Sequence, residues 1–200
     1  MSIKMNEEVN LTELERRGRA KDSIKVLYWE ILREIGLDLE DPNLKETPQR
    51  IARMYVDEIF NPEEPKCTVF PNEEKYDQIV IDKNIPFYSM CSHHFLPFFG
   101  TASIGYIPEK QLLGLSKLDR IVDYYAKRPQ LQERMTQQIA KYIEKKVKPK
   151  GVAVVITARH LCKEMRGIKK SNAEMVTSEM LGAFRKNKET RNEFMELIKE

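Results

Sequence analysis

The chain has 200 residues, 41% of them hydrophobic and 32% charged, a composition typical of a globular protein with one well-packed core. Its 34 basic and 31 acidic residues leave a formal net charge of +3, which is too small to indicate nucleic-acid binding by itself. The longest aliphatic run, residues 152–156, is too short to span a bilayer and the N-terminus has no apolar signal-peptide core, so we expect a cytoplasmic protein.

The first 65 residues predict a helical segment that precedes the main domain. Apolar residues recur at helical spacing between residues 24 and 35, and a glycine ends that run. A second helix is predicted to begin at Thr47-Pro48, with the threonine as N-cap, and to end at Asn61. Residues 1–21 are polar, and we expect a loosely held arm or a short helix there.

The remaining residues, 66–200, predict an α+β domain in the order strand, strand, helix, helix, strand, strand. Two of the strands form a hairpin, and the connection between them contains the segment Cys91-Ser-His-His94. The predicted elements are strand 78–90 with a break at Pro86, strand 98–107, a helix with Ser116 as N-cap, a helix from Arg128, strand 152–157, strand 172–184 and a C-terminal helix 184–200.

Two short segments contain all three histidines and two of the three cysteines. Cys91 and His94 are three residues apart, a spacing that a turn can close on one ion, and Cys162 offers a third ligand. Thiolate and imidazole together favour zinc over calcium or magnesium. Three protein ligands leave the fourth position free, as in catalytic zinc sites. His93 and His160 are then unligated imidazoles beside the metal, able to move protons near neutral pH.

Other interpretations of the same residues remain open at this point. Free cysteines are among the most buried residue types, so Cys91 and Cys162 could be core residues, and a disulfide between them is a weaker alternative. The histidines could likewise be hydrogen-bonded core groups. The clustering of Cys and His in a chain expected to be cytoplasmic favours a metal or catalytic site.

A phosphate-binding segment is indicated around residue 116. Ser116 is predicted at a helix start, where free backbone N–H groups and the helix dipole favour anions. Lys117 and Arg120 lie three residues apart on the same face of that helix. The alternative is an ordinary capped helix with two solvated cations.

A second binding segment lies in the next predicted helix. Gln132 and Glu133 are off its apolar stripe, and a carboxylate there can accept the two adjacent N–H donors of a guanine base. An acidic residue that complements the helix dipole is the simpler interpretation of Glu133. Arg166 follows Cys162 by four residues, close enough to contact a ligand at the metal.

Five segments between about Glu46 and Phe184 form one ordered pattern: Glu46–Ala52, Phe87–Gly100, Gly114–Leu118, Arg128–Arg134 and His160–Cys162 together with Arg166-Gly167. In this order they resemble the GTP cyclohydrolase I family. The match departs from the family pattern at Ser92 and at Lys163-Glu164, none of which is a proposed ligand, and it carries an unexpected charge at the second of these places.

The resemblance implies a zinc-dependent enzyme that hydrolyses GTP at C8, releases formate and forms 7,8-dihydroneopterin triphosphate, the first step of pterin and folate biosynthesis. It implies that Cys91, His94 and Cys162 bind zinc and that His93 and His160 act as acid and base. It implies that Gln132 and Glu133 bind guanine and that Lys117, Arg120 and Arg166 bind the triphosphate. Ser116 is implied to lie near the ribose.

The fold implied by the resemblance is the tunnelling fold, a four-stranded antiparallel sheet with two helices between its second and third strands. Its members assemble into rings, so we expect a homo-oligomer, a decameric ring with sites shared between subunits. The main alternative is a non-catalytic pterin- or nucleotide-binding ring protein that keeps a structural zinc. Other tunnelling-fold enzymes, which use three histidines or no zinc, fit the Cys, His, Cys set less well. We expect neither nucleic acid nor a membrane as partner.

Overall fold

A computed structural model describes residues 11–199, and the chain divides into two compact units, Met1–Asn61 and Pro62–Glu200. The architecture is mixed α+β, as the sequence predicts. None of the described helices combines the length and the apolar composition needed to cross a bilayer.

The first unit contains a long helix, α1 (Glu13–Glu34). Thr12 caps it, since its hydroxyl accepts from the Glu15 N–H and the Glu15 carboxylate accepts from the Thr12 N–H at 2.8 Å. This capping box satisfies two donors at the helix start, and α1 therefore begins well before residue 24, where the apolar pattern starts. Of the predicted N-terminal arm, residues 1–10 lie outside the described residues and residues 13–21 are helical.

The second helix of this unit is α2 (Thr47–Arg53), which continues as a π-helical segment, Met54–Ile59. Thr47 is the first helical residue rather than the predicted N-cap, and Glu46 occupies the cap position without a side-chain hydrogen bond. Asp57 on the π-helical segment accepts from Arg17 at 3.0 Å and from Lys21 at 3.3 Å, which joins α1 to it.

The second unit contains a sheet whose four long strands are antiparallel neighbours in the order β2, β3, β6, β7. They are β2 (Val80–Cys91), β3 (Pro97–Ile107), β6 (Gly151–His160) and β7 (Glu174–Gly182). A two-residue strand, β5 (Pro129–Gln130), pairs in parallel with the end of β2. Helices α3 (Lys117–Ala126) and α4 (Gln132–Val147) lie between β3 and β6 in the chain. The shorter elements are β1 (Val69–Pro71), which pairs with β4 (Gln111–Leu113), and α5 (Leu161–Glu164), α6 (Ala183–Lys186) and α7 (Lys188–Leu197).

The sheet buries apolar side chains on both faces because successive residues of a strand point to opposite sides. On one face α3 and α4 cover the larger core, which includes Phe87, Phe98 and the apolar stripe of α4, Met135, Ile139, Ile143 and Val147. On the other face the rings of Phe184 and Phe194 pack edge to face, with their centroids 5.6 Å apart, and contact Ala153 and Val155. The larger core fixes α3 and α4 against the sheet.

Three element boundaries differ from the sequence prediction. β2 continues through Pro86, which pairs with Thr101 of β3, and the irregularity lies before it as a register shift between Asp82 and Ile85. Residues 129–130 form β5, so α4 begins at Gln132 and not at Arg128. The C-terminal helix is two helices, and the Asn187 side chain caps the second by accepting from the Thr190 N–H.

Candidate metal centre and active site

The first part of the candidate site is the tight turn between β2 and β3. The Cys91 N–H donates to the Leu96 carbonyl and the Phe95 N–H donates to the Cys91 carbonyl, each at 2.9 Å. Phe95 closes the turn with a left-handed backbone conformation, φ 52°. Cys91 is buried at the strand end, whereas His93 and His94 are exposed on the turn. The turn thus holds the thiol in place, with His93 Nδ1 3.8 Å from the Cys91 sulfur.

The second part lies at the end of β6, next to that turn. His160 is the last residue of β6 and pairs with Phe98 of β3, and Cys162 follows in α5. The ligand atoms of Cys91, His94 and Cys162 all lie within 4.8 Å of one another. Two thiolates on one tetrahedral zinc lie about 3.8 Å apart, given zinc–sulfur bonds of about 2.3 Å. The three side chains therefore fit a zinc ion, and their soft donors suit that metal.

The electrostatics of the two thiols fit the same conclusion. Burial raises the pKa of the Cys162 thiol, the neighbouring Cys91 raises it further, and Arg166 acts in the opposite direction. Two adjacent thiols resist ionising together, and a divalent cation reverses that preference by binding both as thiolates. Both cysteines are free thiols in the structure, which disfavours the alternative of a disulfide.

His160 is held by contacts on its ring face and its ring edge. Its ring stacks on Phe98 with centroids 4.6 Å apart and planes 2° from parallel. Its Nε2 lies 2.8 Å from the Oε1 of Gln132. Burial lowers the pKa of His160, and the carboxylate of Glu133 acts in the opposite direction. The ring is thus fixed beside the metal-ligand group, with Glu133 close enough to act on its charge.

Strand β5 brings the start of α4 to the same place. The Gln130 carbonyl accepts from the Ser92 N–H at 3.0 Å, and Gln130 is the pairing partner of Cys91. Gln132 and Glu133, which begin α4 directly afterwards, are therefore close to the metal-ligand turn. The sequence analysis missed this link because a two-residue strand leaves no periodic pattern.

Gln132 is 1% exposed, and its side-chain amide is bonded inside the protein. Its Nε2 donates to the Ile156 carbonyl at 3.0 Å, to the Met175 carbonyl at 2.9 Å and to the Thr177 hydroxyl at 3.1 Å. Both amide hydrogens thus have acceptors, and neither is available to a guanine base. Glu133, in contrast, is exposed and free to bind a ligand.

The predicted phosphate-binding residues lie elsewhere in the same unit. Leu113 donates its N–H to the Tyr106 hydroxyl at 3.0 Å, so the segment leading to Ser116, Lys117 and Arg120 is at the Tyr106 end of β3. His160 pairs with Phe98 at the opposite end, eight residues or about 26 Å away along the strand. Ser116 is at the cap position, as predicted, but its hydroxyl caps no backbone N–H.

Lys117 and Arg120 line a cavity of about 550 Å³ instead, together with Glu64, Thr68, Asp123 and Lys127. Of the other predicted site residues, Glu133 raises the pKa of His160 against the larger effect of burial, and Arg166 likewise lowers the pKa of Cys162 against burial and Cys91. A single chain therefore contains two separate groups of predicted site residues, one around the metal ligands and one around the cations of α3.

Comparison with known proteins assigns the chain to a family. The family model described as GTP cyclohydrolase I matches residues 24–199. The chain belongs to the GTP cyclohydrolase I family. The resemblance predicted from the five segments is thereby confirmed, and the match extends beyond them towards both termini.

Curated relatives of the GTP cyclohydrolase I family match over almost the whole chain. The protein named GTP cyclohydrolase 1 from Flavobacterium johnsoniae is 44% identical over 194 residues, which cover 95% of this chain and 85% of that protein. The protein of the same name from Thermoanaerobacter pseudethanolicus is 50% identical over 182 residues, 89% of this chain and 96% of its own. A solved structure of apo archaeosine synthase QueF-Like overlays on 52% of this chain and 94% of its own at 20% identity, with a TM-score of 0.43 that is too low to bear on the fold.

One further contact at the site lies where the sequence departs from the pattern expected for GTP cyclohydrolase I. Glu164 accepts from Arg159 through both carboxylate oxygens, at 2.9 and 2.6 Å. The Arg159 guanidinium holds the pKa of Glu164 below its usual value. These two residues flank His160 and Cys162, so the ion pair fixes the turn that carries both. The sequence alone marks Glu164 as a departure from the family pattern without indicating its partner.

Proposed function

We propose that this protein is a GTP cyclohydrolase that hydrolyses the imidazole ring of GTP at C8, releases formate and forms 7,8-dihydroneopterin triphosphate. The observation that supports this most directly is the convergence of Cys91, His94 and Cys162 within ligand distance of one another. Membership of the family and the names of its curated relatives support the same activity.

Cys91, His94 and Cys162 would hold zinc, with one coordination position left for a non-protein ligand. When bound, the ion supplies Lewis acidity, which generates a nucleophile near neutral pH and polarises the bond that is attacked. The chain provides the rest of the site: a buried strand end for Cys91, a fixed turn for Cys162 and an exposed His94 that closes the ligand set.

His160 and His93 are the groups proposed to move protons during ring opening and formate release. Both lie within two residues of a metal ligand in the chain, and His160 is held in one orientation by Phe98 and Gln132. The exposed carboxylate of Glu133 would accept the N1 and 2-amino hydrogens of guanine, a bidentate contact with two parallel hydrogen bonds. This places the base beside His160, whose charge Glu133 already influences.

Arg166 would bind a phosphate of the substrate near the metal, since its charge acts on Cys162. Lys117 and Arg120 would bind the triphosphate and Ser116 would lie near the ribose, but these residues are at the far end of the sheet from His160 in the same chain. We therefore propose that a second copy of the chain supplies them, so that each site is shared between two subunits of a homo-oligomer. The implied tunnelling fold and decameric ring provide such an arrangement.

The non-catalytic alternative, a pterin- or nucleotide-binding ring protein with a structural zinc, has less support. A structural site needs four protein ligands and has no use for His93 and His160 beside it. A cytoplasmic location and a place at the start of pterin and folate biosynthesis follow from the same proposal and remain predictions.

The test is to incubate purified, zinc-loaded protein with GTP and follow formate and pterin absorbance. Equal amounts of formate and pterin, lost on chelation and regained with zinc, are expected. Protein that keeps its zinc and binds GTP but releases neither product would instead establish the non-catalytic alternative. The matched control is Cys67→Ser, because Cys67 lies apart from the metal ligands, near the Tyr142 hydroxyl at 3.6 Å, and its loss should change neither zinc content nor turnover.

A further inference from the structure

The hydrogen bonds of Gln132 fix which of its two side-chain ends faces His160. The Ile156 and Met175 carbonyls, at 3.0 and 2.9 Å, can only accept hydrogen bonds, so the end that faces them must be the NH₂ group. The opposite end, the Oε1 oxygen, is then the group 2.8 Å from His160 Nε2. The usual ambiguity between the oxygen and nitrogen of a glutamine amide is removed by these acceptors.

The hydroxyls around Gln132 are consistent with the same orientation. Thr177 Oγ1 lies 3.1 Å from Gln132 Nε2 and 2.7 Å from Thr136 Oγ1. Thr136 in turn donates to the Gln132 carbonyl at 2.8 Å, so the hydrogen of Thr177 points to Thr136 and its oxygen accepts from Gln132. Every donor in this closed set has an acceptor, and rotating the amide by 180° would place an oxygen against two carbonyl oxygens.

We propose that Gln132 is a positioning residue that holds His160 as the tautomer with hydrogen on Nε2. An amide oxygen can only accept, so at 2.8 Å the Nε2 must carry the hydrogen and Nδ1 keeps the lone pair. The Phe98 ring, parallel to the imidazole at 4.6 Å, prevents the ring from tilting out of this bond. Gln132 thereby leaves the lone pair of the imidazole ring on Nδ1.

This inference rests on the proposed function for its catalytic consequence, but the tautomer itself does not depend on turnover. Because Nε2 keeps its hydrogen and its bond to Gln132, any proton exchange by this ring falls to Nδ1. The inference also replaces the role in guanine binding that the sequence suggested for Gln132. Glu133 alone of that pair then contacts the base.

The first experiment observes the tautomer directly, in zinc-loaded protein labelled with ¹⁵N in its three histidines. Solid-state ¹⁵N spectra distinguish a ring nitrogen that carries hydrogen from one that does not, and a His160→Asn sample identifies the His160 signals by difference. The expected result is hydrogen on Nε2 in the neutral ring. Hydrogen on Nδ1 in the unsubstituted protein would overturn the proposal, whether or not the protein turns over GTP.

The second experiment compares Gln132→Met with Thr177→Val. The first removes the oxygen that faces His160 at similar side-chain length, whereas the second removes one acceptor of the same amide and leaves that oxygen in place. We expect Gln132→Met to mix the two tautomers and to lower kcat about 10- to 100-fold with KM for GTP unchanged, as is typical when the partner of a site histidine is lost. Thr177→Val should keep the tautomer and kcat.

Other outcomes separate this role from its alternatives. A higher KM with unchanged kcat in Gln132→Met would restore the guanine-binding role and refute the positioning role. Equal losses of kcat in both variants with an unchanged tautomer would reduce Gln132 to a packing residue. Failure of the unsubstituted protein to release formate would refute the proposed function, while the ¹⁵N result would still decide the tautomer.

Discussion

Mixed oligomers of two inactive variants provide a direct test of a site shared between subunits. His160→Ala damages the group around the metal ligands, and Lys117→Ala/Arg120→Ala damages the cation group, whose helix begins at the other end of β3. If each site combines the first group of one subunit with the second group of another, the two variants complement each other. A subunit that lacks one group can still contribute the other.

The expected loss of activity follows from the hydrogen bonds that are removed, and the expected recovery follows from the random mixing of subunits. Hydrogen bonds to charged groups contribute about 1.5–3 kcal/mol each, so losing both cations should lower kcat/KM for GTP by about 10²- to 10⁴-fold. In a random equal mixture each half of a site is intact with a probability of one half. About a quarter of the sites should therefore be fully intact, as the symmetry of a homo-oligomer requires.

The assay uses co-expressed, differently tagged variants purified through both tags, with formate release measured against unsubstituted protein. The matched control combines His160→Ala with Cys162→Ala, which damage the same group and should restore nothing. Activity close to zero in both mixtures would refute the shared site and place all these residues in one subunit. Equal recovery in both mixtures would show that activity does not depend on combining the metal-ligand group of one subunit with the cation group of another.

Three further predictions concern the metal, the strand packing and the ion pair. Cys162→Ala should lose zinc and activity together, whereas His160→Ala should keep zinc and lose turnover, as metal analysis and formate release will show; full zinc in Cys162→Ala would contradict the ligand assignment. Gly100→Ala should destabilise the domain by about 3 kcal/mol or more in denaturant unfolding, because the added Cβ would lie 2.0 Å from the Thr157 carbonyl oxygen. Its control Gly18→Ala has open space and should stabilise α1 by about 0.5–1 kcal/mol, and equal effects of the two would refute the steric argument. Glu164→Gln should lower the unfolding temperature of metal-free protein at neutral pH. Because the pKa of Glu164 is lowered by Arg159, its contribution is present above the usual carboxyl pKa and disappears as the pH falls through the lowered value, so the two proteins should converge in acid and a constant difference would contradict this.

The sequence predicted the parts of the site whose chemistry is local. The Cys91 and Cys162 segments are readable as metal ligands because thiol and imidazole groups are rare and were clustered. The apolar residues of α4 were predicted because a helix that packs on a sheet repeats its buried positions. The family membership was predictable as well, since five separate segments carried it.

The parts that the sequence did not predict depend on contacts between distant residues. β5 forms because Gln130 pairs with Cys91. A strand of two residues is too short to show an alternating pattern of apolar and polar residues, so the sequence did not predict it. The bond between Gln132 and His160 joins residues 28 positions apart. The early start of α1 is a different case, because the Thr12 and Glu15 capping box is a local sequence signature that lies upstream of the apolar pattern.

The short pairing of β5 with β2 also limits how this enzyme can be redesigned. The hydrogen bond from the Ser92 N–H to the Gln130 carbonyl connects the turn with the proposed metal ligands to the backbone just before Glu133. A change at residues 132–134 intended to accept another purine should therefore also affect the turn proposed to bind the ion. Selection for a new base should therefore yield variants with altered metal affinity, and compensating substitutions should appear between residues 91 and 96.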